Sequence, residues 1–173
     1  NSFVASANCG LYCGAKIDFV DISLDTYNID VDILEEKLIY AKKKKVLPKI
    51  IVAVHMGGLS CEMKKINSLS KKYGFKIIED ASHCVGSKFR NKFVGSCKYS
   101  DISVFSFHPV KIITTGEGGI ILTNNKNLND KVNILRTSGI NKNLKKNKIL
   151  KNGLWFYEQE MLGFNYRMND ISA

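Results

Sequence analysis

The chain has 173 residues, 45% of them hydrophobic, enough for one sizeable buried core in one globular domain. A net charge of +10 alone would admit nucleic acid, a membrane surface or anionic small molecules as partners. The lysines, however, sit in runs such as Lys42 to Lys45 and along 141–148, with no interleaved aromatics and no recognition-helix motif, so they read as solvated faces rather than as a nucleic-acid surface. Cys9, Cys13, Cys61, Cys84 and Cys97 have no metal-ligand spacing, and the three histidines are remote from the Cys9/Cys13 pair. An odd thiol count, no signal peptide and no apolar run of about 18 residues point to reduced cysteines in a soluble, cytoplasmic protein that does not enter a membrane.

Taken in order, Asn1 to Gly10 predicts a turn feeding a small-residue helix that stops at Gly14. Lys16 to Ile22 alternates like a strand, and the polar connection ending at Asp30 can cap the helix that Val31, Leu34, Leu38 and Ala41 mark by their spacing. That helix has acids early (Asp32, Glu35, Glu36) and its four lysines late, as the macrodipole favours. Lys49 to Val54 is a continuous apolar run, the signature of a strand buried on both faces. Met63, Ile66, Leu69 and Tyr73 mark the next amphipathic helix, closed by Gly74, and Phe75 to Ile78 the next strand. This βαβ rhythm implies a parallel sheet flanked by helices. Cys84 to Ser100 reads as a hairpin-like excursion. Ile120 to Thr123 is a further strand, and the asparagines 124, 125 and 127 can cap a helix with Leu128, Val132 and Leu135 on its buried face, ending near Gly139. Residues 141–153 form a polar, lysine-rich loop.

The chemistry concentrates where strands deliver polar residues to their carboxyl ends, the ligand edge of open α/β sheets. There lie His55, the run Glu79-Asp-Ala-Ser-His83, and Ser103-Val-Phe-Ser-Phe-His-Pro-Val-Lys111-Ile-Ile-Thr-Thr-Gly-Glu-Gly-Gly119. A lysine after a strand is ordinarily a solvated charge. In an apolar, tightly turned setting it is instead desolvated, its amine loses charge, and it becomes a nucleophile toward carbonyls. An aspartate at a strand end is often only a cap, but beside a reactive lysine it gains a use as partner of a protonated ring nitrogen. His55, alone in its spacing, is open between a ligand contact and a structural role.

The run through Lys111 resembles the cofactor-lysine segment of the fold-type I pyridoxal-phosphate (PLP) enzymes, specifically the DegT-type nucleotide-sugar aminotransferases, in which Ser-Phe-His-x-x-Lys is followed by Thr-Thr-Gly-Glu-Gly-Gly. The resemblance covers nearly the whole chain. It implies an α/β fold, the three-layer, mostly parallel sheet of the aspartate-aminotransferase-like large domain. It also implies PLP as cofactor, a UDP-linked keto sugar and an amino-acid donor, by family expectation glutamate, as substrates, and a homodimer. On the matching positions, Lys111 carries the cofactor covalently and shuttles the proton, while Asp80 keeps the pyridine nitrogen protonated. His83 contacts the ring oxygen or packs near it, and Ser106 binds the phosphate. Phe3 stacks on the ring or is a core aromatic. Leu162-Gly-Phe-Asn-Tyr-Arg-Met168 resembles the segment whose asparagine, here Asn165, reaches across a dimer interface to the neighbour's phosphate; Arg167 clamps a carboxylate or diphosphate, or orients the loop. His55, His108 and Arg167 are the candidates for substrate contacts.

Within the family, Trp155-Phe-Tyr-Glu-Gln159 and the lysine run are most similar to enzymes that aminate C4 of a UDP-linked 4-keto-6-deoxy-N-acetyl sugar. Related sugar dehydratases carry histidine in place of the lysine, so Lys111 argues against that activity; a non-catalytic regulatory protein on the same fold stays open. The family's Gly/Ser/Thr phosphate loop lies upstream of Phe3 and is the largest departure. The absence of an initiator methionine, and an end in what reads as a first helical turn, mark residues 1–173 as a fragment of the PLP-binding large domain, missing an N-terminal segment and a C-terminal small domain.

Overall fold

A computed structural model describes residues 1–141, 153 and 155–173. They fall into two compact units, 1–124 and 125–173, rather than around the single core that the length suggests. The expected loop at 141–153 lies, apart from its two end residues, outside the described residues.

In the first unit the short helix α1 (Ala5–Tyr12) ends at Cys13 and turns on Gly14, whose φ of 70° suits glycine. Lys16 to Ile22 does not form the expected strand. Alternation specifies a strand only where a neighbour supplies a ladder, and the pairing found here is a single bridge from Ile22 to Ile29. Asp30 caps α2 (Val31–Lys44): its carboxylate accepts from the backbone N–H groups of Asp32 and Ile33, two of the four donors a helix start leaves orphaned. Lys42, Lys43 and Lys44 occupy the last turn, where the dipole favours cations.

Strand β1 (Ile50–Val54) is followed by a 3₁₀ turn at Met56–Gly58, then α3 (Met63–Tyr73) and β2 (Lys76–Asp80). The four apolar positions read from the sequence are the buried face of α3, and each contributes about 1.5–3 kcal/mol by leaving water. They join Leu34 and Leu38 of α2 and Ile51, Ala53 and Ile77 of the strands in one core. The two-residue strands β3 (Lys88–Phe89) and β4 (Lys92–Phe93) pair antiparallel about Arg90 and Asn91. Both turn residues have positive φ, 47° and 62°, as a tight hairpin demands, so the excursion is a hairpin.

With β5 (Ile102–Ser106) and β6 (Gly119–Leu122) the main sheet has the order β1-β2-β5-β6. The first two pairings are parallel and the last antiparallel, a mostly parallel α/β sheet. β1 is an edge strand, buried through Ile51 and Ala53 on the α2/α3 face and only half covered through Val52 and Val54. The apolar run overstated its burial, because a run of Ile and Val fits either case. Alternation along β2 then puts Glu79 on the α2/α3 face and Asp80 on the other.

The second unit contains α4 (Lys126–Leu135), capped by the Asn125 side chain, and the short antiparallel pair β7 (Ile140–Asn141) and β8 (Glu158–Gln159). Leu128, Val132 and Leu135 are half-buried, not buried. Gly139 and Gly163 meet so closely that a Cβ on Gly163 would lie 2.2 Å from the Gly139 nitrogen. Among the described residues no helix is long and apolar enough to cross a membrane.

Candidate active site

Asp80 ends β2 and is held on three sides. The Ser6 hydroxyl donates to its Oδ2 at 2.6 Å, the Ser82 hydroxyl to its Oδ1 at 2.6 Å, and the Ser82 backbone N–H to the same oxygen at 3.2 Å. Burial pushes the carboxyl up, but these bonds and the nearby His83 outweigh it and hold Asp80 below the ordinary carboxylate value, so it is ionised at neutral pH. Because Ser6 spends its proton on Asp80, Ser2, 2.6 Å from Ser6, donates in turn to Ser6. Ser6 and Ser82 were missed by sequence reasoning. Ser82 carried a signal, a hydroxyl two residues beyond an aspartate being a turn pattern. Ser6, 74 residues away, carried none.

The segment 107–118 leaves β5 and folds back on Phe107. The Phe107 N–H donates to the Gly118 carbonyl, and the Phe107 carbonyl accepts from the Thr115 N–H and the Thr114 hydroxyl. Gly116, at φ 77°, lets the Thr-Thr-Gly-Glu turn close. Gly119 is needed for another reason: a Cβ there would lie 2.7 Å from the Phe105 carbonyl oxygen across the β5–β6 pair. Lys111 sits in this loop, its backbone N–H on the His108 carbonyl, between the exposed side chains of Val110 and Ile112. It is half-buried, so the apolar enclosure expected around it is not supplied by its own loop.

Lys111 and His83 meet on one open cleft of about 380 Å³, lined also by Gly57, Ser82, Val110 and Ile112. The Gly57 N–H points at His83 Nδ1 over a long 3.4 Å. Ser106, at the end of β5, accepts from the His108 N–H and keeps its own proton to donate. His108 is exposed, 3.9 Å from Glu117. Phe3, 76% exposed, precedes the helix that carries Ser6, with its ring not in the core.

His55 is the correction. It is fully buried, its Nδ1 accepts from the Cys61 N–H at 3.2 Å, and its Nε2 lies 2.8 Å from Glu79 Oε2. With both ring nitrogens engaged inside the core it has none left for a ligand, and of the two readings open from sequence the structural one holds. Asn165 and Arg167 are exposed in the second unit, Arg167 Nε donating to Asn165 Oδ1 at 3.0 Å.

The site therefore combines a primary amine and an imidazole on one cleft with an anchored carboxylate and a hydroxyl on the adjoining strand ends. The fit to a pyridoxal-type group is chemical: an amine for its aldehyde, an ionised acid for its ring nitrogen, a hydroxyl donor for its phosphate.

Known proteins resemble this chain over nearly its whole length. The chain is 44% identical over 172 residues to the UDP-4-amino-4,6-dideoxy-N-acetyl-beta-L-altrosamine transaminase of Campylobacter jejuni strain 81-176, covering 99% of this chain and 42% of the relative. It is 39% identical over 172 residues to the GDP-perosamine synthase of Caulobacter vibrioides, covering 99% of this chain and 41% of the relative. The chain thus spans about two fifths of the length of the relatives it matches, 42% and 41%. Among solved structures, Helicobacter pylori PseC, an aminotransferase involved in the biosynthesis of pseudoaminic acid, superposes with a TM-score of 0.82 at 36% identity, over 99% of this chain and 41% of that one. A DegT/DnrJ/EryC1/StrS aminotransferase from Brucella abortus superposes with a TM-score of 0.84 at 29% identity, over 99% and 43%. The profile of the DegT/DnrJ/EryC1/StrS aminotransferases matches residues 1–173, end to end, and the chain belongs to that family.

Proposed function

We propose that residues 1–173 are part of the PLP-binding large domain of a nucleotide-sugar aminotransferase, completed in the full-length protein by an N-terminal segment and a C-terminal small domain. It moves an amino group from an amino acid, glutamate in our reading, to C4 of a UDP-linked 4-keto-6-deoxy-N-acetyl sugar, in pseudaminic acid biosynthesis and in a cytoplasmic homodimer. The observation that carries the reading is the shared cleft of Lys111 and His83 beside the clamped, ionised Asp80. The similarity to the Campylobacter jejuni transaminase supports the choice of sugar.

When bound, PLP supplies an electron sink for the carbanion formed at the carbon that gains or loses the amino group. This chain's residues would do the rest. Asp80 holds a proton on the ring nitrogen, and Ser6 and Ser82 keep its carboxylate charged and aimed. Ser106 Oγ donates to the phosphate, and Asn165 does so for the partner protomer. Phe3 covers a ring face. His83 binds beside the ring oxygen, and His108 and Arg167 contact substrate. Lys111 Nζ would hold the aldehyde carbon, whose oxygen leaves as water, be freed when the nitrogen of the amino donor takes its place there, and then carry the proton to and from the reacting carbon.

The test is borohydride reduction of the full-length protein with PLP, followed by peptide mass spectrometry. The pyridoxyl group is expected on Lys111. Labelling scattered over surface lysines, or none, would leave a non-catalytic protein on this fold and sink the reading.

A further inference from the structure

The buried pair His55–Glu79 has no part in the chemistry above, yet it ties together the pieces that form the cleft. Cys61 N–H donates to His55 Nδ1, so the ring proton sits on Nε2 and is given to Glu79 Oε2. Glu79 also accepts from the Ser100 hydroxyl. The His55 backbone N–H donates to the Asp80 carbonyl at 3.1 Å. One residue thus grips β2 through Glu79 and Asp80 and closes the loop 55–61 on itself. That loop carries Gly57, whose N–H faces His83 Nδ1, and Gly58, which abuts the His83 turn so closely that a Cβ would stand 3.2 Å from the His83 carbonyl. Ser87 pins the same loop from the other side, its hydroxyl donating to the Gly58 carbonyl at 2.9 Å.

We propose that His55 is a positioning residue for His83: by closing the loop 55–61 it places the Gly57 N–H on His83 Nδ1 and so presents His83 to the cleft as an Nε2–H donor. A donor at that nitrogen suits an anionic ring oxygen, and to that extent the proposal rests on the PLP reading. The arrangement of the loop itself does not.

The two halves of the imidazole are separable. Asn at position 55 places an acceptor near Nδ1 and drops the Glu79 contact; Gln places a donor near Nε2 and drops the Cys61 contact. In the full-length protein without cofactor, nitrogen NMR of ¹⁵N-histidine-labelled material is expected to find His83 as the Nε2–H tautomer in wild type and in His55→Asn, but a mixture of tautomers in His55→Gln. Half-saturation by PLP should then rise about fivefold in His55→Gln, the size of one ordinary hydrogen bond. If His55→Gln does not fold, Ser87→Ala loosens the same loop at a half-buried hydroxyl and should shift His83 in the same sense. An unchanged His83 tautomer in whichever of His55→Gln and Ser87→Ala folds, or melting temperatures that fall in these two variants with His83 unmoved, overturns the proposal. Should His83 respond while borohydride leaves Lys111 unlabelled, the positioning role stands and the cofactor reading falls.

Discussion

The chain Ser2→Ser6→Asp80 makes a measurable claim about charge. Ser6→Ala removes the hydroxyl that gives Asp80 Oδ2 a 2.6 Å bond and leaves the two Ser82 bonds in place. A hydrogen bond to an ionised group contributes about 1.5–3 kcal/mol, and Asp80 is half-buried, so the loss falls at the lower end, about 1.5 kcal/mol at pH 7. The pH dependence carries the argument. Asp80 is held below its ordinary value, so its contribution is complete above the unfolded carboxyl value of about 3.9 and is lost as pH falls through the lower folded value. The Ser6→Ala penalty must therefore be full at pH 7 and pH 5 and shrink below about pH 4. Ser2→Ala, which removes only the outer hydroxyl of an exposed pair, should cost less than about 0.5 kcal/mol. Urea titrations of the cofactor-free full-length protein, wild type beside each variant across that pH range, give the numbers. A Ser6→Ala penalty that persists undiminished at acid pH would mean that helix packing, not Asp80 charge, is what Ser6 supports.

Lys111→Ala should reduce single-turnover transamination by the full-length protein more than about a hundredfold, the loss of an essential base, with the melting temperature unchanged because its loop is pinned through Phe107. Gly119→Ala should lower stability by about 1–3 kcal/mol through overpacking on the Phe105 carbonyl, read as a shifted urea midpoint. Burial pushes the Cys61 thiol up to about 12, so iodoacetamide at about pH 8, below even an ordinary thiol value, should leave it unalkylated in the native protein and reach it after unfolding.

What the sequence revealed divides by the distance over which each feature is decided. α3 was legible because its buried face is written in a 3.6-residue period within its own eleven residues, and the cap at Asp30 because the bonds reach only to Asp32 and Ile33. The fold and the family were legible for a different reason, a long and specific run around Lys111. The strand expected at Lys16–Ile22 failed because pairing depends on what lies alongside, and alternation says nothing about that.

The histidines show the same limit at the level of the site. His83 and His55 both follow strands at the ligand edge and look alike as single letters in the chain. What separates them is a carboxylate 24 residues from His55 that turns its ring into the core, while His83, three residues past Asp80, is turned to the cleft. Residue type and sheet edge therefore locate a site without assigning its members. The hydrogen-bond partners tell the two apart: His55 spends both nitrogens inside the core, whereas His83 lines the cleft with the Gly57 N–H at its Nδ1.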